Sequence, residues 1–418
     1  MAATRRTFRV TGLQAAEAAL ELLAAEGYEY EQEVFWEGAY VLTREPRPLG
    51  SSLAAAFGLI YIQDRSSMLP PLMLNPHPGA DVLDFCASPG GKTGIAAILA
   101  GDGGFVLANE PQPRRLATLR RNLAAADAAN IGSCGYPGEG LPLLSGTWRN
   151  LLLDPPCSGW GTEEKHPKVR TLWTGDKIEP LVKLQRRLLS KAATLLSPGG
   201  RLMYSTCTTN PDENEAQVRF AREELGLELV PLSPPQGISV DEPADPVASG
   251  CMRVTGGESG GQGFFLALFA KSGKAAASAE AFEEAAMPGR APTNAELDSM
   301  SFCDLSRLPP GSIRVFSETA HLVHEHAPAL LAPGFKWRAY ALGRFKKSRF
   351  HVEPRARRLN PVNGETIDVD DTAVLDKLIS GQGLKIQKNK GYAGLAFRGA
   401  PLGWLTVKNG RALWTPRD

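Results

Sequence analysis

The stretch "VLDFCASPGGKTG" (Val82–Gly94) indicates the class of fold, since it reads as a short apolar strand, a glycine-rich turn and the start of a helix. A turn this tight needs glycine where φ is positive or where a ligand approaches the backbone. The helix behind it offers free N–H groups and the positive end of its dipole to an anion. It is not a phosphate-binding P-loop, because G-x-x-x-x-G-K-[ST] requires glycine where Cys86 stands. The turn therefore either holds a nucleotide-like cofactor or merely closes a sheet.

Glu110 favours the first of these alternatives. The strand-like "GFVLANE" ends at this residue, roughly 20 residues beyond the turn, where doubly wound folds place an acidic residue that accepts hydrogen bonds from ribose hydroxyls. The alternative is a solvent-facing glutamate with no ligand. Together, the turn and the spacing favour a nucleotide-like cofactor.

Outward from this stretch, short apolar strands alternate with helices from about residue 49 to residue 271. The strands are "DVLDFCA", "GFVLANE", "NLLLDPP", "RLMYSTC" and "GFFLALFA"; the helices are "KTGIAAILAG", "PRRLATLRRNLAAAD", "VKLQRRLLSKAATLL" and "ENEAQVRFAREEL". This alternation predicts an α/β fold of the Rossmann-like, doubly wound type, a parallel sheet with helices on both faces.

Composition shifts predict five segments. We expect a small N-terminal α+β module at 1–48, the doubly wound domain at 49–272, a linker rich in Ala, Ser and Gly at 273–295, a module with a basic patch at 296–360 and a second small α+β module at 361–418.

The length, composition, net charge and cysteine count of the chain exclude several classes of protein. With 418 residues, 43% of them hydrophobic, the chain is long enough for two or three globular domains. The net charge of +1 means that any nucleic-acid surface must come from a local cluster. Six cysteines without a C-x-x-C pair argue against a disulfide framework and a metal site. No secretory signal or membrane span is apparent, so we expect a soluble, cytoplasmic protein.

Two cysteines stand at the ends of predicted strands. Cys157 follows "NLLLDPP", which also carries Asp154, and Cys207 ends "RLMYSTC". The carboxyl ends of parallel strands line the ligand crevice, so these three side chains should reach one pocket. Unpaired cysteine is often simply buried, and the pattern alone leaves structural and functional roles equally open. The other cysteines are expected to be structural, with Cys86 packed under the glycine turn.

At this point the sequence resembles a known family, the Sun-type RNA cytosine-5 methyltransferases. The resemblance extends over about residues 58–218, and it is greatest to the bacterial RsmF type that modifies 16S ribosomal RNA. It rests on "YIQDRSSMLPPLMLNPHPGADVLDFCASPGGKT", "ANEPQPRRLATLRRNL", "LLLDPPCSGWGTEEKHPK" and "LVKLQRRLLSKAATLLSPGGRLMYSTCTTNPDENE". More weakly, "YALGRFKKSRFHVEP" and the last segment resemble the two small C-terminal modules of that type, the last of which is PUA-like.

The resemblance implies S-adenosylmethionine as cofactor and a set of site residues. The turn Cys86, Ala87, Ser88, Pro89, Gly90, Gly91 and Lys92 would hold the cofactor, with Glu110 on its ribose. Asp154 would lie between the cofactor and the target base, Cys207 would be the nucleophile, and Cys157 would help to release the product. One departure is that Tyr136-Pro137 stands where the family usually has an aspartate that contacts the adenine.

Basic residues are concentrated near the C-terminal end. We predict RNA contacts from Lys336, Arg338, Arg344, Lys346, Lys347 and Arg349, among which aromatic residues are interleaved. Lysine and arginine neutralise phosphates, and aromatic faces stack on unpaired bases. The alternative is a solvated basic face with its aromatic residues in a small core.

Four functions remain in competition. The leading one is formation of 5-methylcytosine in 16S rRNA by a monomer. The others are a tRNA cytosine-5 methyltransferase, a DNA cytosine-5 methyltransferase with Cys157 as nucleophile, and a non-catalytic rRNA-binding assembly factor. The DNA alternative leaves Cys207 without a role.

Overall fold

The structure is a computed structural model that describes residues 6–415 apart from 14–15, 164–165, 174, 244, 257–260, 274–287, 348, 360 and 362–364. Most of the predicted linker at 273–295 lies outside the described residues. The division into domains therefore stays a prediction.

A four-stranded antiparallel sheet forms the N-terminal part. Its elements are β1 (Thr7–Val10), α1 (Ala16–Ala25), β2 (Glu29–Gln32), β3 (Ala39–Arg44), α2 (Leu53–Ala56) and β4 (Ile60–Ile62), with strand order β2-β3-β1-β4. The sheet thus takes its last strand from beyond residue 48. Gly27 follows α1 with φ +82°, a conformation that favours glycine.

The central sheet contains the elements predicted from the alternating pattern. They are α3 (Arg65–Leu74), β5 (Val82–Asp84), α4 (Gly91–Ala100), β6 (Val106–Asn109), α5 (Pro113–Ala125), β7 (Ile131–Cys134), β8 (Trp148–Leu153), α6 (Val169–Leu172), α7 (Ile178–Leu195), β9 (Leu196–Thr206), α8 (Glu215–Glu223), β10 (Glu228–Val230), β11 (Val240–Asp241), β12 (Met252–Val254) and β13 (Phe264–Ala270).

Strand order in this sheet confirms the Rossmann-like prediction. The order is β11-β12-β13-β9-β8-β5-β6-β7, and the five strands from β9 to β7 are parallel. The chain order reverses between β5 and β8, and ligands of such sheets bind beside the switch point, at the carboxyl ends of the strands. Successive residues face opposite sides: Leu151 and Leu153 pack towards α7, whereas Leu152 packs towards α3 and α4.

Two details differ from the sequence-based expectation. "GFFLALFA" (β13) runs antiparallel to β9, because the chain returns to the sheet through the antiparallel strands β10–β12 rather than through a crossover helix. The short strand "IGSC" (β7) was not among the strands predicted. Gly132 interrupts its apolar pattern, and the Trp337 ring lies where a Cβ at this glycine would project.

Two further sheets form the C-terminal part. The first comprises α9 (Asn294–Asp298), β14 (Gly311–Phe316), β15 (Thr319–His324), α10 (Ala327–Leu330), β16 (Trp337–Arg338), β17 (Tyr340–Lys346) and β18 (Arg349–Val352), in the order β14-β15-β17-β18, while β16 pairs with β7 of the central sheet. The second comprises β19 (Thr366–Val369), α11 (Thr372–Ile379), β20 (Leu384–Lys385), β21 (Lys390–Phe397), β22 (Ala400–Lys408) and β23 (Arg411–Trp414), in the order β19-β21-β22-β23-β20. Its PUA-like character stays a prediction.

Arg9 joins the N-terminal sheet to the glycine turn. Its guanidinium is 1% exposed and donates from Nη2 to the Gly91 carbonyl (3.1 Å) and from Nε to Gln63 Oε1 (2.9 Å). A Cβ at Gly94 would overlap with this guanidinium. The glycine at position 94 is therefore explained by Arg9 rather than by a ligand.

We expect Gly94→Ala to lower the free energy of unfolding by about 1–3 kcal/mol, because the methyl group displaces a buried arginine each of whose three nitrogens donates a hydrogen bond. Chemical denaturation measures this. Gly140→Ala is the matched control, since a Cβ at Gly140 would meet no atom within 4 Å. Equal stability of the two variants would contradict the assignment of Gly94.

Candidate active site

The carboxyl ends of β8 and β9 bring the two predicted thiols together. Cys157 Sγ lies 3.3 Å from Cys207 Sγ. Asp154, which directly follows β8, accepts a hydrogen bond from Lys92 Nζ at 2.7 Å and one from Ser205 Oγ at 3.2 Å. Lys92 belongs to the glycine turn, so one site joins the thiols to the predicted cofactor region.

The two thiols are electrostatically unequal. The hydrogen bond from Cys157 lowers the pKa of Cys207, and the nearby Lys92 ammonium acts in the same direction against burial. The same hydrogen bond, together with burial, raises the pKa of Cys157. Of the two thiols, Cys207 therefore ionises more readily, and Cys157 is the one placed to donate to its thiolate.

Cys157→Ala should move the pH midpoint for alkylation of Cys207 by iodoacetamide to higher pH. The variant removes the donor that stabilises the Cys207 thiolate, so at neutral pH the reaction becomes several-fold slower. Mass spectrometry of the peptide containing Cys207 measures the rate. Cys157→Ser retains a donor and should shift the midpoint less. A midpoint that is the same in wild type and Cys157→Ala would show that the two thiols do not influence each other.

A buried carboxylate fixes the loop that carries Cys157. Glu213 is fully buried, and its Oε1 accepts from Ser158 N (3.0 Å) and Gln185 Nε2 (2.9 Å). Its Oε2 accepts from the Ser158 hydroxyl and from Asn210 Nδ2. Ser158 Oγ also lies 2.7 Å from Thr208 Oγ1, so the neighbours of both cysteines are tied together. Glu213 was not among the site residues predicted from the sequence.

A cavity of about 230 Å³ lies beside Lys92 and Asp154. Of the predicted cofactor turn, Cys86, Ala87, Ser88, Pro89, Gly91 and Lys92 line it. Gly90, with φ +109°, makes the turn into α4. The sequence interpretation missed Gln63 and Asp84, which also line the cavity, although the position of Asp84 at the end of β5 was a usable signal. Burial raises the pKa of Asp84 to about 6, and Thr93 Oγ1 donates to it at 2.7 Å.

Glu110 and Tyr136 are not among the described residues that line this cavity. The Glu110 carboxylate is 1% exposed, accepts from Gln112 N at 2.9 Å and forms an ion pair with Arg115 at 3.4 Å. Tyr136 exchanges two hydrogen bonds with Asn109 and stacks on Phe335, with the ring centroids 4.9 Å apart. The C-terminal part therefore contacts the position where the resembled family has an aspartate.

The predicted RNA-contacting residues are exposed and divide into two groups. Arg338, Arg344 and Lys346 line one cavity next to α5, whereas Lys336, Lys347 and Arg349 do not. Phe345 and Phe350 are buried against each other, so their rings belong to the core of the β14–β18 sheet.

The described residues contain no group of three or more His, Cys, Asp or Glu side chains that could hold a metal ion. Within the same part of the chain, no helix is long and apolar enough to cross a membrane.

Comparison with known proteins places these features in a family. Residues 71–270 match the family model described as 16S rRNA methyltransferase RsmB/F. Ribosomal RNA small subunit methyltransferase F of Shewanella amazonensis is 36% identical over 232 residues, which cover 54% of this chain and 50% of the relative. The Escherichia coli protein of the same name is 35% identical over 237 residues, again 54% and 50%. The chain thus spans about half the length of the curated relatives it matches.

Solved structures of methyltransferases are also similar to this chain. A methyltransferase homologue from Pyrococcus horikoshii is 33% identical and superposes with a TM-score of 0.55, covering 64% of this chain and 86% of that one. NSun6 from the same organism, solved with SFG, has a TM-score of 0.58 over 65% of this chain and 91% of that one; at 20% identity it shows the fold alone.

Proposed function

Because the chain belongs to the family described as 16S rRNA methyltransferase RsmB/F, we propose that it transfers a methyl group from S-adenosylmethionine to carbon 5 of a cytosine in small-subunit ribosomal RNA. The observation that carries this proposal is the pair of unequal thiols, 3.3 Å apart, beside the Lys92–Asp154 ion pair at the edge of the cavity.

The cavity suits the cofactor chemically. It opens on the N-terminus of α4, whose free N–H groups favour a carboxylate, and Asp84 and Asp154 supply negative charge for an amino group and a sulfonium. The residues that would hold the cofactor are those of the turn from Cys86 to Lys92, together with Asp154. Glu110 would contact the ribose, which requires the carboxylate to be shared with or released by Arg115. Bound there, S-adenosylmethionine supplies an electrophilic methyl group.

Cys207 starts the reaction. Carbon 5 of cytosine is too weak a nucleophile to be methylated unaided, so the Cys207 thiolate adds to carbon 6 and turns the ring into an enamine-like species. This divides one difficult step into two easier ones. The lowered pKa of Cys207 is the property that such a nucleophile needs.

Asp154 and Lys92 stabilise the charge that this addition creates. Negative charge develops on N3 and O2 of the base, and a carboxyl group that shares or delivers a proton at N3 lowers its energy. Burial would lower the pKa of the Lys92 ammonium, but Asp154, with smaller contributions from Cys207 and Asp84, outweighs burial and holds the pKa above its ordinary value. The pair therefore keeps a protonated cation beside the base.

Cys157 completes the reaction. Once Cys207 is bonded to carbon 6, its negative charge is gone, and with it the main cause that raises the pKa of Cys157. Cys157 can then lose its proton to solvent and take the proton from carbon 5, directly or through a water. The electrons of that C–H bond form the C5=C6 double bond, and Cys207 leaves as a thiolate.

The test uses the wild-type protein with methyl-labelled S-adenosylmethionine and three substrates: 16S rRNA, assembled small ribosomal subunits, and tRNA. Bisulfite sequencing maps the product. We expect 5-methylcytosine in 16S rRNA or in the subunit. Methylation of tRNA alone would move the substrate to tRNA. No 5-methylcytosine in any of the three would contradict the enzyme proposal and favour the assembly factor.

A further inference from the structure

A second cavity, of about 430 Å³, lies where the central sheet meets the first C-terminal sheet. One wall comes from α5 and β7, and the other from β15, β17 and β18. Pairing of β16 with β7 joins the two walls, and it places Arg338 opposite Ser133. We call this cavity the junction cleft.

Positive charge enters the junction cleft from both walls. Its charged lining residues are Arg120 from α5 and Arg338, Arg344, Lys346, Glu353 and Arg355 from the C-terminal side. Glu353 is thus the one carboxyl group among the described residues that line the cleft. Burial raises its pKa, and the charges of Arg355 and Arg344 act against burial. This one carboxyl group therefore faces five Lys and Arg side chains in the cleft.

Arg120 and Arg338 face each other without a carboxylate between them. Arg120 Nε donates to Ser133 Oγ at 2.9 Å, which points its guanidinium into the cleft. Burial first, and then the charge of Arg338, lower the pKa of Arg120. In the part of the chain that the structure describes, neither arginine forms an ion pair with an acid. Like charges so placed repel each other, and an anion bound between them would relieve the repulsion.

Helix α5 connects this cleft to the cofactor turn. Near its start, Arg115 Nη2 donates to the carbonyl of Ser88 in the turn at 3.0 Å. Arg120 is five residues further along the same helix, which corresponds to roughly 7.5 Å of helix axis. The cleft and the cofactor turn therefore contact the same helix within about one and a half turns of each other.

We propose that the junction cleft binds the sugar–phosphate backbone of the RNA strand that carries the target cytosine, with a phosphate held between Arg120 and Arg338. This proposal rests on the proposed function and specifies which surface binds the RNA substrate. Guanidinium groups form paired hydrogen bonds with phosphate. Arg344 and Lys346 extend the positive surface beyond a single phosphate, so an extended polyanion fits the cleft better than a mononucleotide does.

The test measures the affinity of the full chain for a single-stranded 16S rRNA fragment by fluorescence anisotropy at several salt concentrations. Arg120→Gln/Arg338→Gln should weaken binding roughly tenfold, and the slope of log affinity against log salt should become shallower by about 0.7 for each phosphate that is no longer neutralised. Arg338→Gln alone changes an exposed side chain, so it serves as the variant with the smaller expected effect on folding. Arg121→Gln is the matched control, because it removes one charge from the same helix outside the cleft.

The following outcomes separate the possibilities. Unchanged affinity in the Arg120 and Arg338 variants, or an equal decrease with Arg121→Gln, would overturn the proposal. Displacement of the RNA by micromolar AMP would also overturn it, since the cleft would then be a mononucleotide site. Another outcome is that the wild-type protein forms no 5-methylcytosine while its RNA affinity still depends on Arg120 and Arg338. That result would support the cleft proposal and contradict the proposed function. If the Arg120 and Arg338 variants methylate RNA normally and bind it with unchanged affinity, the cleft proposal is contradicted and the proposed function is not.

Discussion

Cys207→Ala will reduce methyl transfer to RNA by roughly 10⁴-fold or more, since a reaction that depends on a covalent intermediate loses its first step when the nucleophile is removed. Cofactor binding should change little, because Cys207 does not line the cavity beside the glycine turn. Single-turnover methylation and equilibrium dialysis with S-adenosylmethionine measure the two quantities separately.

Cys157→Ala should block the reaction after the covalent bond to RNA has formed, whereas Cys207→Ala blocks it before. Cys207 can still add to the base, but the proton on carbon 5 is not removed, so protein bound covalently to RNA accumulates. Denaturing gels of protein from expressing cells show the adduct, and sequencing of the attached RNA names the substrate. The adduct should disappear when Cys207→Ala is added. An adduct that persists in that double variant, or that forms in Cys207→Ala alone, would assign the nucleophile to another residue.

The meeting of the two thiols could be predicted from local patterns and one rule of topology. Each cysteine follows an apolar strand, and parallel strands present their carboxyl ends at the same edge of a sheet. The pattern of "NLLLDPPC" and "RLMYSTC" was sufficient for that. The direction of β13 was not predictable in this way, because an isolated apolar run does not show which neighbour it pairs with.

Side-chain partners far apart in the sequence could not be predicted. Glu213 binds Ser158, 55 residues away, and Arg9 lies against Gly91, 82 residues away. Neither contact leaves a local signature: "NPDENE" reads as the start of a helix, and Gly94 reads as part of a ligand-binding turn. The packing of Tyr136 on Phe335 is of the same kind. Such pairs are specified by the assembled fold, and here they position the loops that carry the candidate catalytic residues.

Asp154→Asn will lower kcat by about 10²–10³-fold, the usual cost of losing one group that stabilises developing charge. The amide cannot relay a proton from the Lys92 ammonium to N3, and it leaves Lys92 without the anion that accepts its hydrogen bond. Burial then acts on Lys92 unopposed by Asp154 and lowers its pKa, so the remaining activity should fall as pH rises past the lowered pKa. Single-turnover rates between about pH 6 and pH 9, a range that spans the ordinary Cys pKa and a lowered Lys pKa, measure this.

Two comparisons distinguish a loss of catalysis in Asp154→Asn from a loss of the structure of the site. Ser205→Ala removes one hydrogen bond to the Asp154 carboxylate, donated to Oδ1 at 3.2 Å, so it should cost about 1.5 kcal/mol, or roughly tenfold in rate. The negative charge of Asp154 also raises the pKa of Cys207. Asp154→Asn should therefore speed alkylation of Cys207 at pH values where Lys92 remains protonated, even as methyl transfer slows. An unfolded or displaced site would not give that combination. A decrease in kcat no larger than that of Ser205→Ala would show that Asp154 positions the substrate and takes no part in the chemistry.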